Sequence, residues 1–193
     1  MLIVITGLDG SGTSSLARNL NKIDKNSVLL KTPSKEYEDS RNGIDDIVRT
    51  TSPLAHYLYY LSSVVFISDY IRNNIDYKNN NVYCVRYLID TVVSHRTLGL
   101  SVELDYEKYN IIKPDMTIFV RIDEETRQKR ITERGKSILD KTLDEEIFRN
   151  KFNKEFERYS SQFVFFDNNR NEIEKNAIKF YDQYIKGEYK NEK

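Results

Sequence analysis

Gly7-Leu-Asp-Gly-Ser-Gly-Thr-Ser-Ser15 follows the apolar run Leu2-Ile-Val-Ile-Thr6 and precedes residues 14–22, where Leu16, Ala17 and Leu20 recur at helical spacing. A buried strand therefore runs into a glycine-rich turn and then a helix. Gly7 and Gly12 have the spacing of a phosphate-binding P-loop, and Ser14 stands at its hydroxyl position. Gly7, Gly10 and Gly12 let the backbone wrap around a phosphate. The N–H groups of Ser11, Thr13, Ser14 and Ser15 are placed to point inward, and the helix N-terminus adds positive potential. Ser14 would also reach the magnesium ion of a bound nucleotide. The position that should be lysine is Thr13, which donates a hydrogen bond but carries no charge. The alternative is an ordinary strand-turn-helix corner that needs glycines sterically. Placement directly after the first strand argues against it.

Outward from this loop, strands and helices alternate. Ser27 to Lys31 reads as a second strand, and the charged stretch 35–50 as a loop with a short helix. Ser52-Pro53 is a helix start, a capping hydroxyl followed by proline at the first helical position. That helix runs to about Asn74 and is apolar on more than one face, as a buried helix or a pocket wall would be. Val82 to Tyr87 is a third strand and residues 90–98 a helix. Met116 to Ile122 is a fourth strand, and Asp123 caps a basic helix that stops at Gly135. Residues 144–160 form a helix, Phe163 to Phe166 the fifth strand, and 171–186 a closing helix. This alternation predicts a parallel sheet covered on both faces, and with the loop at Gly7–Ser15 it reads as an α/β fold of the P-loop NTPase type, three layers α/β/α around a five-stranded parallel sheet. Ligands of such sheets bind beyond the carboxyl ends of the strands.

Length and composition agree. A chain of 193 residues suits one domain, expected over residues 1–187 with a frayed tail at 188–193. Thirty basic against thirty acidic residues argue against a nucleic-acid binder held by phosphate electrostatics. One cysteine, Cys84, excludes an internal disulfide framework, and two histidines, His56 and His95, make a His-rich metal centre a poor reading. Cys84 reads as an inert buried thiol, and His95 as a packed or helix-surface residue rather than a general base. No apolar run approaches a membrane span, and residues 1–7 read as a strand rather than a signal peptide. A soluble cytoplasmic protein is expected.

Five segments in order resemble the thymidylate kinase-type nucleoside monophosphate kinases. They are the loop itself, Phe66-Ile-Ser-Asp-Tyr70 in the long helix, Val85-Arg-Tyr87, Lys113-Pro-Asp115, and Glu133-Arg-Gly135. The resemblance covers residues 2 to about 185. It implies ATP with Mg2+ as donor and a small-molecule nucleotide as acceptor, most simply dTMP converted to dTDP. It gives Asp9 to the acceptor sugar and the metal region, Phe66 to stacking on the base, and Arg86 to the acceptor phosphate. Lys35 is a further candidate for that phosphate. A small helical lid is implied around 134–143, with Lys136 and Lys141 inside it. Arg127, Arg130 and Arg134 share a helix face, so that Arg130 and Arg134 can serve the transferring phosphoryl group. A homodimer is implied by analogy.

The chain departs from the family pattern at four places. Thr13 replaces the loop lysine, Val85 replaces an aspartate near the metal, and Tyr70 replaces an arginine that reads the base. Beyond Tyr87 the sequence runs Asp90-Thr-Val-Val-Ser-His-Arg96. Arg18 or the lid arginines are candidates to replace the lysine charge. Asp90 either replaces the missing carboxylate or caps a helix. The first two changes leave a second expectation open, a nucleotide-binding protein with weak or no turnover. The last two leave open a kinase for another nucleoside or nucleotide.

Overall fold

Leu2–Thr6 (β1) is buried along its whole length, as a strand covered on both faces requires. The computed structural model describes residues 1–135, 143–169 and 172–187. In it β1 is the centre of a five-stranded sheet of order β2-β3-β1-β4-β5. The other strands are β2 (Val28–Lys31), β3 (Val82–Val85), β4 (Met116–Arg121) and β5 (Phe163–Asp167). Every pairing is parallel, and Ile5 lies opposite Val85 on one side and Ile118 on the other.

Successive strand residues point to opposite faces, and β1 uses both. Leu2 and Val4 pack with Leu61, Val64 and Ile71 of α4 (Pro53–Asn74) and Leu88 and Val92 of α5 (Leu88–Thr97). Ile3 and Ile5 pack with Leu16 and Leu20 of α1 (Thr13–Ile23) and Ala177 and Phe180 of α8 (Ile173–Phe180). The result is the expected α/β/α sandwich. A third cluster joins Ile89 and Val93 of α5 to Phe152 and Phe156 of α7 (Glu146–Glu157). Because β1 lies between β3 and β4, the turns after β1 and β3 leave the sheet at the same edge and frame a crevice there.

Several boundaries differ from the sequence expectation. The strand β3 ends at Val85 and α5 begins at Leu88, two residues early. The cause is Asp90, whose Oδ2 accepts the Tyr87 N–H at 3.0 Å. Asp90 thus sits inside the first turn, and Tyr87 holds the cap position. Residues 35–50 are almost wholly helical, as α2 (Lys35–Gly43), a π-helical turn (Ile44–Val48) and α3 (Arg49–Thr51). No residue of α2 is buried, so no apolar stripe marks it. Polar contacts to α4 hold it instead, among them Tyr59 OH on the Tyr37 carbonyl and Arg41 Nε on Tyr60 OH at 3.1 Å.

Other ends behave as their residues dictate. Ser52 Oγ accepts the Ala55 N–H ahead of Pro53, and Asp123 Oδ1 accepts the Thr126 N–H at 2.8 Å to open α6 (Glu124–Arg134). Gly135, with φ of 89°, follows α6. A 3₁₀ turn (Ser160–Gln162) replaces the expected end of the helix at 144–160, and a π-helical turn (Tyr181–Ile185) extends α8. Residues 136–142, hence Lys136, Lys141 and most of the expected lid, lie outside the described residues, as does the 188–193 tail. Among the described residues no helix is long and apolar enough to cross a membrane.

Candidate active site

The turn after β1 opens into a cavity of about 900 Å3 at the carboxyl edge of the sheet. Asp9, Gly10, Gly12, Thr13, Ser14 and Ser15 form one wall. Gly12 has φ of 99° and faces Asn168, so a side chain there meets both a strained backbone and a buried amide. Asn168 Nδ2 donates to the Ser11 carbonyl at 2.6 Å, pinning the loop to the end of β5. No side chain caps α1 and its first turn holds no acid, so the helix N-terminus faces the cavity ready for an anion. The buried Ser11 hydroxyl has no hydrogen-bond partner among the described residues and lies beside Gly7, off the cavity wall. Ser14 is exposed on the cavity wall.

Arg86 joins this loop to β3 and α5. Its backbone N–H donates to Ile5 O at 3.0 Å, and its φ of 67° turns the chain sharply out of the strand. Such a conformation persists where surrounding contacts fix it. Nη2 donates to Asp9 Oδ1 at 2.6 Å, Nη1 to Asp90 Oδ1 at 2.8 Å, and Nη1 also to the Gly7 carbonyl. Thr6 Oγ1 donates to Asp90 Oδ1 at 2.6 Å. Burial opposes the charge on Arg86, but Asp9 and Asp90 outweigh it and raise its pKa. The cation is therefore fixed at the cavity wall with its side chain still 20% exposed. Val85 lines the cavity without charge, and the carboxylate there is that of Asp90.

The arginines of α6 divide by position. Arg127 is fully buried, donating to both Glu124 oxygens and to the Asp9 carbonyl at 3.2 Å. It anchors the loop and does not face the cavity. Arg130 donates to Asn168 O at 3.2 Å and lines the cavity with Arg134 and Arg18.

The far end of the cavity carries a network that the sequence reading did not single out. His95 Nδ1 lies 2.6 Å from the Thr91 carbonyl, which can only accept, so Nδ1 bears the proton. His95 Nε2 then accepts from His56 Nδ1 at 2.7 Å. His56 Nε2 lies 3.1 Å from Asp45 Oδ1, which also accepts from Tyr60 OH at 2.7 Å. Arg41 Nε donates to Asp45 Oδ2 at 3.2 Å. Burial raises the Asp45 pKa, but the bonds from His56 and Tyr60 outweigh it and bring it below the ordinary carboxylate value. Burial lowers His95 to about 4. The usable signal in the sequence was spacing, since Arg41 with Asp45 and His56 with Tyr60 are each four apart.

Three expected acceptor residues do not reach this cavity. Phe66 packs against Tyr37, at a ring distance of 6.0 Å, and is 37% exposed. Tyr70 is 42% exposed. It sits about 15 Å further along α4 than Tyr60, at 1.5 Å per residue. The face of α4 toward the cavity carries His56 and Tyr60 instead. Lys35 is exposed outside the wall. Cys84 is buried in β3, where burial pushes its thiol pKa up, as an inert thiol requires.

The family model described as thymidylate kinase matches residues 5–178. None of the curated proteins matches the sequence. Among solved structures, thymidylate kinase from Candida albicans superposes with a TM-score of 0.70 at 19% identity, covering 94% of this chain and 89% of that one. Thymidylate kinase from Ehrlichia chaffeensis gives 0.63 at 18% identity, covering 94% and 97%. Deoxyadenosine kinase from M. mycoides, solved with dCMP and dCDP bound, gives 0.65 at 20% identity over 94% and 97%.

Proposed function

The chain belongs to the thymidylate kinase family, and from that premise we propose that it transfers the terminal phosphoryl group of ATP to a nucleoside monophosphate, with dTMP the simplest acceptor. The observation that carries this reading is Arg86, held 2.6 Å from Asp9 in the same cavity as the uncapped N-terminus of α1. A donor-phosphate cradle and an acceptor-phosphate cation thus face one space.

Phosphoryl transfer of this kind needs positioning and charge neutralisation more than covalent chemistry. Loop N–H groups from Gly12 to Ser15 hold the donor phosphates; that of Ser11, expected to join them, donates instead to the Leu8 carbonyl at 3.0 Å. Arg86 exchanges part of its carboxylate contact for the acceptor phosphate, and Asp9 is then free to accept from the acceptor sugar. Mg2+ binds oxygen ligands and usually keeps several waters; the exposed Ser14 hydroxyl, with Asp9 and Asp90 nearby, suits it. When bound, the ion offsets charge between the two phosphates. Arg18, Arg130 and Arg134 line the donor side and support the view that the charge absent at Thr13 is supplied from elsewhere.

Nucleoside diphosphate formation from Mg-ATP and a panel of monophosphates and free nucleosides tests the reading. Diphosphate from dTMP or a related acceptor is expected. Nucleotide binding with no product from any acceptor would overturn it in favour of a nucleotide-binding protein without turnover, which the uncharged Thr13 and Val85 favour. The nucleotide substrates support a cytoplasmic location. Leu54, Leu58, Phe66 and Tyr70 are exposed apolar side chains on α4, which supports a homodimer through that helix; sedimentation tests it.

A further inference from the structure

We propose that Arg41, oriented by Asp45 and Tyr60, determines acceptor specificity by donating hydrogen bonds to a carbonyl-bearing edge of the acceptor base. This deepens the kinase reading and rests on it for the identity of the cavity. Arg41 lines the cavity with its side chain 43% exposed. Among the described residues both of its hydrogen bonds run from Nε, to Asp45 Oδ2 and Tyr60 OH. The guanidinium is thus held by its inner nitrogen, and its two terminal amino groups remain to meet a ligand. A planar fork fixed in this way suits recognition of paired acceptor atoms.

The rest of the network explains why donors prevail here. Asp45 accepts three bonds, from His56, Tyr60 and Arg41, which occupy three of about four lone-pair sites on a carboxylate. Little acceptor capacity is left for an exocyclic amino group. His56 is itself fixed to His95, and His95 to the Thr91 carbonyl in α5. The chain of contacts therefore braces the π-helical turn, α4 and α5 against one another and holds Asp45 in place. Phe66 and Tyr70 lie off this wall, whereas Arg41 lines it with Arg49, and Arg41 is the one tied to both Asp45 and Tyr60. Bases with a carbonyl edge (thymine, uracil, guanine) fit these donors, whereas the amino edges of cytosine and adenine oppose them.

The experiment measures Kd by calorimetry and kcat/KM for dTMP, dUMP, dGMP, dCMP and dAMP. It uses the wild type, Arg41→Ala, Arg41→Lys and Tyr70→Ala, with folding checked by thermal melts. The wild type is expected to prefer the carbonyl-edge monophosphates by tenfold or more. Arg41→Ala should erase most of that preference while ATP affinity changes less than about threefold. Arg41→Lys keeps the charge but loses the fork, and should erase it nearly as far. Equal weakening toward all five acceptors, a wild-type preference for dCMP or dAMP, loss of preference in Tyr70→Ala but not in Arg41→Ala, or no monophosphate binding would each overturn the inference. A binding preference erased by Arg41→Ala, without diphosphate formed by the wild type, would uphold it while the kinase reading fails.

Discussion

Arg86 Nη1 donates to Asp90 Oδ1 over 2.8 Å, and the other oxygen of that carboxylate caps the helix that Arg86 precedes. The cation on the cavity wall and the start of α5 are therefore one construction. Asp90 also supplies an acid beside the cavity where Val85 offers none. Sequence alone left two readings of Asp90 open, a helix cap or a replacement carboxylate; the geometry shows it bonding the Tyr87 N–H at the start of α5 and pairing with Arg86 at the cavity wall.

Replacing Arg86 by alanine leaves Asp9 and Asp90 without the cation between them. The acceptor phosphate then meets two carboxylates, while the donor cradle is built from backbone N–H groups and persists. Acceptor kcat/KM should fall roughly 10²- to 10³-fold, by analogy with the loss of other preorganised charge. The KM for ATP should change only a few-fold. Steady-state kinetics with each substrate varied checks this, and equal losses for both would remove Arg86 from the acceptor side.

Asp90→Ala removes three contacts at once, with Arg86, Thr6 and the Tyr87 N–H. Breaking a buried ion pair and leaving a capped N–H unmet costs about 3–5 kcal/mol. Asp90→Asn keeps an oxygen for the cap and should cost less. Urea unfolding of the two variants gives the order, and a loss below about 1 kcal/mol for the alanine variant would show that the pair carries little of the fold.

Thr13→Lys restores a charge at the loop. Thr13 is buried at the start of α1, and Arg18, Arg130 and Arg134 already line the same cavity. If those cations act on the transferring phosphoryl group, the substitution should change kcat by less than tenfold. A gain of a hundredfold, about 2.7 kcal/mol of barrier, would mean that the natural loop limits turnover. Single-turnover rates at saturating ATP separate the two outcomes.

The sheet and the phosphate loop were legible because their signals are local. Continuous apolar runs such as Leu2–Thr6 and glycines at fixed offsets depend on neighbours in sequence. The acceptor end was not legible. Arg41, Asp45, His56 with Tyr60, and His95 come from four separate elements, and each alone reads as a solvated or packed residue. The helical character of residues 35–51 was hidden for a related reason, since it rests on contacts to α4 rather than on an apolar stripe. Phe66 and Tyr70 lie on later turns of α4 than His56 and Tyr60, off the cavity wall, which no local signal in the sequence marks. One or two residues of helical offset rotate a side chain away from the cavity at about 100° per residue.

The buried histidine pair gives the last prediction, which concerns pH. Burial lowers His95 to about 4, the positive charges of His56 and Arg49 add to that, and the Thr91 carbonyl and Asp45 oppose it. In the unfolded chain a histidine titrates near 6.5. Between these values the unfolded state binds the proton and the folded state does not, so stability is full above about pH 6.5 and falls as the pH drops toward 4. From pH 6.5 to 5 the loss from this one group is on the order of 2 kcal/mol at 1.36 kcal/mol per pH unit, or roughly 4–8 °C in Tm for a chain of this size. His95→Gln cannot titrate, and its melting temperature should fall less steeply over the same interval even if it starts lower. Thermal melts at half-unit steps give the two slopes; parallel slopes would mean that His95 is protonated in the folded protein and that the hydrogen-bond order from Thr91 to Asp45 runs differently.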